Sequence, residues 1–335
     1  MAKPVVLVQL EAASADAAHF AKALSELASA GGPIQLRFAA PDAAAELAAL
    51  AGEVEIWTGA NVSEAFLAAA VKLKWVSFFS AGVDGKVNQA LLGRSLRITT
   101  ASGVHGPNVA EHILGFMLIL THGFNDHWRD QAKHVWRSWS GSRAQGDELA
   151  GQTLLVVGLG QIGAALAQRA KALGMSVMAI KRDPTRLPEG VNGGMIERLG
   201  GPQELDALLP AADHVALCAP LTSQTQHLFD RARIGRMKRG SFLYNIARGG
   251  LIDSAALVQA IQSGEIGGAG LDVFEKEPLP ADSPLWDLPN VIVTPHKAGV
   301  TPHYYERAAA LFAANLRRYL AGEPLQQEYS ETREY

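Results

Sequence analysis

One cysteine, Cys218, in 335 residues leaves no partner for an intrachain disulfide and fits a reducing cytosol. Long hydrophobic runs are also missing. The longest, ILGFMLIL at 113–120, is far below the roughly 20 residues that span a bilayer, so no membrane partner is expected. Charge of one sign is scarce too: 30 basic against 33 acidic residues give a net charge of −3. That removes any general electrostatic reason to bind nucleic acid, and any anion site must be local. The opening MAKPVVLVQLE has one lysine and a short apolar run closed by Glu11, without the cleavage region of a secretory leader. There is no repeat of fixed period, and the alanine-rich first 70 residues have helix composition. The expectation is a cytoplasmic protein of about two domains.

What is present is alternation. Apolar runs at 4–10, 34–39, 53–59, 74–85 and 96–103 are separated by alanine-rich helical stretches, the signature of βα units and a parallel sheet. A single long helix is predicted from Pro107 to Trp139, apolar nearly all round at first and therefore buried between domains or subunits. A second βα series starts at Gly151, with strands expected in TLLVV, SVMAI, HVALCAP, GSFLYNIA, IGGAGLDVF and NVIVTPH. A last helix at 303–322 leads to a polar tail, EYSETREY. The fold class is α/β, two doubly wound parallel-sheet domains of Rossmann or flavodoxin type.

The sharpest local signal is GLGQIG at 158–163, between a strand and a helix. Gly158 permits the tight turn, Gly160 lets a pyrophosphate approach the backbone, and Gly163 lets the helix pack on the strand. The helix opening at Gln161 and Ile162 then turns free N–H groups toward phosphate. After the next strand come Lys181 and Arg182, which suit a 2′-phosphate and favour NADP(H). Asp183 reaching back to a ribose is the NAD(H) alternative.

Ligands of an open α/β sheet sit beyond the carboxyl ends of its strands. Three neighbouring ends in this half offer Arg248 after SFLYNIA, Glu275 and Glu277 after GGAGLDV, and His296 after VIVTP. Singly they read as a loop arginine, solvated carboxylates and one of ten histidines. Their joint placement beside a dinucleotide motif reads as a catalytic group.

With SAGVD (80–84), NVAEH (108–112), PLTSQT (220–225), NIARGGLID (245–253), LDVFEKEPLP (271–280) and NVIVTPHKAG (290–299) added, nearly the whole chain resembles the D-isomer-specific 2-hydroxyacid dehydrogenase family. That resemblance implies reduction of a small 2-keto acid, of glyoxylate or hydroxypyruvate type, by NADPH to a D-2-hydroxy acid. Arg248 would hold the carboxylate and carbonyl oxygen. His296 would give the carbonyl its proton, with Glu277 orienting the imidazole and Glu275 a bystander. The backbone of Ala81, Gly82 and Val83 would bind the substrate carboxylate. Pro220, Thr225, Ala247 and Asp272 would line the cofactor, Asp272 at its nicotinamide end. No metal is implied.

The resemblance also implies a discontinuous substrate domain, 1–102 plus 300–335, and a nucleotide domain, 103–299, with a cleft that closes on substrate. It further implies a homodimer using the 107–139 segment; because the chain ends soon after its second crossing, the regulatory domain of some phosphoglycerate dehydrogenases is not expected. Lys297, where relatives more often carry a small or apolar residue, would either meet an extra anionic group or point to solvent. Formate dehydrogenase, with glutamine in place of Glu277, is disfavoured. The alternative from another class is a nucleotide-sensing protein of co-repressor type.

Overall fold

The computed structural model describes residues 3–83, 85–137, 146–188 and 190–331. Two compact units emerge, Met1–Val104 with Thr301–Tyr335 and His105–Val300. The first carries five parallel strands: β1 Val5–Val8, β2 Gln35–Phe38, β3 Val54–Gly59, β4 Trp75–Phe78 and β5 Arg97–Thr99. Their order, β2-β1-β3-β4-β5, is the flavodoxin-like arrangement. β1 and β4 are buried along their whole length, as a parallel strand covered on both faces should be.

The chain returns to this unit in the helix Tyr304–Leu320, whose Phe312 and Tyr319 stack on Trp75 with ring centroids 5.1 and 5.5 Å apart. The segment after it is more than a polar tail. Gln327 O accepts from Thr100 N at 3.1 Å, and Tyr329 N donates to Ile98 O at 2.8 Å, so it covers the open edge of β5. Residues 332–335 of that tail lie outside the described residues.

The second unit holds β6 Thr153–Val157, β7 Ser176–Ile180, β8 Arg198–Gly200, β9 His214–Leu217, β10 Phe242–Asn245, β11 Gly268–Leu271 and β12 Val291–Val293. All pairs are parallel, in the order β12-β11-β10-β9-β6-β7-β8, the dinucleotide-binding arrangement with its switch point between β6 and β9. β8 was not expected: three residues with an exposed arginine carry no readable strand period.

The predicted long helix is also corrected. It is two helices, Gly106–Thr121 and Phe124–Ala132, broken where Gly123 takes a φ of 67°. Ser138 and Trp139, its expected end, lie outside the described residues. The first of the two packs its apolar side on this unit's own sheet and on the helix Gln161–Ala172. Phe116 fills the space a Cβ on Gly270 of β11 would need, at 2.6 Å, which explains a glycine inside a strand. Among the described residues no helix is long and apolar enough to cross a membrane.

A polar trio of His214, Gln152 and Tyr244 locks the opposite, N-terminal ends of these strands. His214 Nε2 faces Gln152 Oε1 at 2.5 Å and Nδ1 faces the Tyr244 hydroxyl at 2.9 Å. A carbonyl oxygen only accepts, so Nε2 carries the proton and Nδ1 accepts from the phenol. Burial lowers the imidazole from its ordinary 6.5 to about 4. The unfolded chain therefore takes up a proton below pH 6.5 that the folded chain refuses until about pH 4. His214 thus supports the fold fully above 6.5, and about 3 kcal/mol of that support is lost as pH falls to about 4. The stability difference between the native chain and a His214→Gln variant, followed by urea unfolding, should change by that amount over this window; a constant difference would contradict it.

Candidate active site

β6 ends into the glycine turn at the switch point. Gly158 has a φ of 104°, and a Cβ there would lie 2.5 Å from Ala219 N, so the turn passes directly under the end of β9. A Cβ on Gly163 would lie 2.4 Å from Gly158 O, which requires glycine for the helix to start so close to the turn. Gly160, at the N-cap of the helix Gln161–Ala172, has open space where its Cβ would be. Gln161 and Ile162 open that helix. A bare helix start with open space over the middle glycine fits a pyrophosphate.

Beyond β7, Lys181 Nζ bonds Arg186 O, and Arg182 follows, exposed. Asp183 turns into its own loop. Its Oδ1 accepts from Thr185 N at 3.0 Å and Thr185 Oγ1 at 2.5 Å, and these bonds hold its carboxyl below the usual range. In the loop after β9, Thr225 Oγ1 donates to Pro220 O at 2.8 Å and accepts from Thr222 N at 2.7 Å, so that hydroxyl fixes the loop's shape.

Arg248 sits three residues past the end of β10, in extended backbone. Buried Asn245 shapes this turn, donating from Nδ2 to Arg248 O at 2.8 Å and accepting Ala247 N at 3.1 Å. Arg248 Nη1 donates to Ala247 O at 2.7 Å. Gly249 answers why the arginine is followed by glycine. A Cβ there would lie 1.8 Å from Phe274 C and 2.3 Å from Glu275 N, so the turn rides against the segment after β11.

That segment carries Glu277. Its Oε1 accepts Phe274 N at 3.0 Å, and its Oε2 stands 2.7 Å from His296 Nδ1. The Glu277–His296 contact expected from the sequence is thus present, and it engages Nδ1 of the imidazole. His296 is held at a φ of 52°, a left-handed backbone that costs a non-glycine residue about 1–3 kcal/mol.

Asp272 offsets that cost. Its backbone O accepts His296 N, and its buried carboxylate accepts Lys297 N and Ala298 N, all at 2.8 Å. Hydrogen bonds to a charged acceptor contribute about 1.5–3 kcal/mol each, enough to hold the strained residue. Thr294 Oγ1 donates to Asp272 Oδ1 at 2.5 Å and, having one proton, accepts from His112 Nε2 at 3.0 Å. Burial lowers the His112 pKa, which keeps that imidazole neutral and fits the bond. The sequence reading missed this supporting role of Asp272 and His112, although both lie in its motifs LDVFEKEPLP and NVAEH. Glu275, expected to be a bystander, has partners of its own: His227 Nε2 at 2.7 Å and Ser254 N at 3.1 Å. Lys297 is exposed.

In the first unit, residues 80–83 follow β4 at the carboxyl end of the sheet. Ser80 Oγ donates to Gly82 O at 2.7 Å and accepts from Lys86 Nζ at 2.8 Å, which fixes the loop holding Ala81, Gly82 and Val83. Lys86 was not singled out in the sequence, because nothing in its spacing ties it to that loop. Among the described residues no group of His, Cys, Asp and Glu is placed to hold a metal.

Comparison with known proteins places this geometry. The model of the D-isomer specific 2-hydroxyacid dehydrogenase NAD binding domain matches residues 114–298. The chain is 34% identical over 259 residues to a glyoxylate reductase of Korarchaeum cryptofilum, covering 76% of this chain and 75% of that one. It is 35% identical over 266 residues to a D-3-phosphoglycerate dehydrogenase of Methanocaldococcus jannaschii, covering 79% of this chain and 49% of the relative, so it spans about half that protein's length. Its structure is similar to the crystal structure of a D-isomer specific 2-hydroxyacid dehydrogenase from Xanthobacter autotrophicus in complex with NADPH and MES, with a TM-score of 0.81, 28% identity and 100% of both chains covered. With its glycine turn, Arg248 turn and Glu277–His296 dyad, the chain belongs to the D-isomer specific 2-hydroxyacid dehydrogenase family.

Proposed function

We propose that this chain is an NADPH-dependent reductase of small 2-keto acids, of the glyoxylate or hydroxypyruvate type, giving D-2-hydroxy acids. The observation that carries the reading is the 2.7 Å contact of His296 Nδ1 with Glu277, itself anchored on Phe274 N. The carboxylate engages Nδ1 and so leaves Nε2 to serve as the acid. When bound, the nicotinamide supplies a hydride to the carbonyl carbon. Arg248 holds the substrate's carboxylate and carbonyl oxygen with its planar donors. His296 delivers the proton to that oxygen as negative charge develops there, and takes it back in the oxidative direction. The N–H groups of Ala81, Gly82 and Val83, in the loop after β4, are suited to a small carboxylate.

The cofactor residues of the proposal are Gly158, Gly160, Gln161, Ile162, Gly163, Lys181, Arg182, Pro220, Thr225, Ala247 and Asp272, the last acting through the loop it braces. Preference for NADPH is supported by Lys181 and Arg182 at the end of β7 and by Asp183 being committed to Thr185. The glyoxylate reductase and the NADPH complex among the similar proteins support the same reading. Replacing Lys181 and Arg182 together with alanine should lower kcat/KM for NADPH by about tenfold or more while leaving NADH nearly unchanged. Equal losses with both cofactors would count against the preference.

The protein acts as a cytoplasmic homodimer in this proposal. Support for a subunit contact comes from Phe124, Trp128, Val135 and Trp136, all exposed on or just after the helix Phe124–Ala132. The test of function is a panel of glyoxylate, hydroxypyruvate, pyruvate, phenylpyruvate and a branched keto acid, assayed by absorbance with both cofactors. Turnover of a small acid with NADPH is expected. NADPH binding without turnover on any acid supports the sensing alternative instead.

A further inference from the structure

The segment after β11 carries a second carboxylate–imidazole pair, which the proton transfer leaves unused. Glu275 Oε1 lies 2.7 Å from His227 Nε2, and Glu275 Oε2 accepts Ser254 N at 3.1 Å. Ser254 opens the helix Ser254–Gln262, the first helix after the Arg248 turn to run beyond a single turn. His227 is equally tied to the turn from the other side. It sits at a left-handed φ of 47° and donates its backbone N–H to Gly250 O at 2.7 Å. Phe229 N donates to Leu251 O at 2.9 Å, and Asp253 N to Phe229 O at 3.1 Å, so residues 227–229 are laced along 250–253. Gly249, as described, lies in backbone contact with Phe274 and Glu275.

The turn presenting Arg248 is therefore flanked by residues 227–229 and by residues 274–275. The Glu275–His227 contact is a side-chain link from one flank to the other. Both side chains are more than a third exposed, at 45% for His227 and 36% for Glu275. A pair that exposed adds little to global stability. A left-handed histidine is a cost in the same balance. Stability does not account for the arrangement; geometry does.

Resting on the reductase reading above, we infer that the Glu275–His227 pair is a positioning device for Arg248. It sets the guanidinium relative to the segment whose next carboxylate, Glu277, sets His296. One four-residue stretch, 274–277, then orders the substrate anchor through Glu275 and the proton donor through Glu277. The loop after β9, which carries Pro220 and Thr225 on the cofactor side, joins the same arrangement through His227.

The test uses the NADPH-loaded protein and oxamate, a carboxylate analogue of a keto acid. Glu275→Ala and His227→Ala should each weaken oxamate binding about tenfold, and should raise KM for the keto acid more than they lower kcat. NADPH affinity and the melting temperature should stay close to those of the native chain. Glu275→Gln, which still accepts the Ser254 N–H and still meets His227, should bind oxamate within about threefold of the native protein. The double alanine variant should be no worse than Glu275→Ala alone, because that change already breaks the link to His227. Unchanged oxamate affinity in either alanine variant overturns the inference, as do additive losses or a loss matched in NADPH binding and not rescued by glutamine. Should Glu275→Ala fail to fold, His227→Ala decides alone. Failure of the native NADPH complex to bind oxamate overturns the reductase reading and this inference together; normal binding by native and alanine proteins alike overturns this inference only.

Discussion

His296→Ala should lower kcat by about a thousandfold and leave NADPH affinity within about twofold, because general acid catalysis contributes roughly two to four orders of magnitude. The expectation follows from the site's construction. Glu277 holds Nδ1 at 2.7 Å, and Asp272 grips the backbone on both sides of the imidazole, so nothing else among the described contacts can take its place. The cofactor turn at Gly158–Gly163 belongs to the other side of the switch point, between β6 and its helix, and does not depend on that side chain. Initial rates with saturating NADPH and fluorescence titration of the cofactor check the two halves separately. Near-normal turnover would remove His296 as proton donor. A parallel loss of cofactor binding would make its role structural.

Gly249→Ala is the second change with a large expected effect, and for a different reason. The glycine's φ is not in the left-handed region, so an alanine there meets no intrinsic backbone strain. The obstacle is packing. A Cβ would lie 1.8 Å from Phe274 C and 2.1 Å from its carbonyl oxygen, and these are backbone atoms that cannot rotate away. Relief needs the Arg248 turn and the 274–277 segment to part by more than an ångström. Overpacking of this kind costs about 1–3 kcal/mol in stability. A shift of that size between anchor and acid costs about a hundredfold in rate. The expected result is kcat/KM down by about a hundredfold with a folded, NADPH-binding protein and a modest drop in melting temperature. Retention of full kcat/KM would show that the two segments are not held in register by this contact.

Much of this architecture is legible in the residues. Buried parallel strands such as TLLVV and FLYN read as short apolar runs, and glycines that meet a backbone, as Gly158 and Gly163 do, stand in a recognisable spacing. Arg248, Glu275, Glu277 and His296 stand out in the sequence because each follows a strand at the edge where ligands sit, and the family resemblance prefers Glu277 to Glu275. What stayed hidden depends on tertiary partners. In the sequence Gly123 is one glycine in a helical pattern, tolerable at about 1 kcal/mol, and its positive φ in the fold makes it a break. β8 is too short to show a period, and its pairing with β7 decides it. Residues 327–329 look like polar tail because their bonds are backbone bonds to the edge of β5, which no side-chain pattern records.

The site's supporting residues were hidden in the same way. Asp272, which the family resemblance sets at the nicotinamide end of the cofactor, also accepts the N–H groups of Lys297 and Ala298 and the Thr294 hydroxyl, partners that no sequence spacing records. Glu275 and His227 are 48 residues apart and exposed, so only their 2.7 Å contact singles them out.

Hydride transfer to a keto acid can be followed directly. NADPH carrying deuterium at its transferable position, incubated with this protein and glyoxylate's larger relatives hydroxypyruvate and pyruvate, should give a 2-hydroxy acid labelled at the carbon bearing the new hydroxyl. Chiral chromatography should resolve that product as the D enantiomer. An unlabelled product, an L product, or intact labelled NADPH after prolonged incubation with both acids would contradict the assignment.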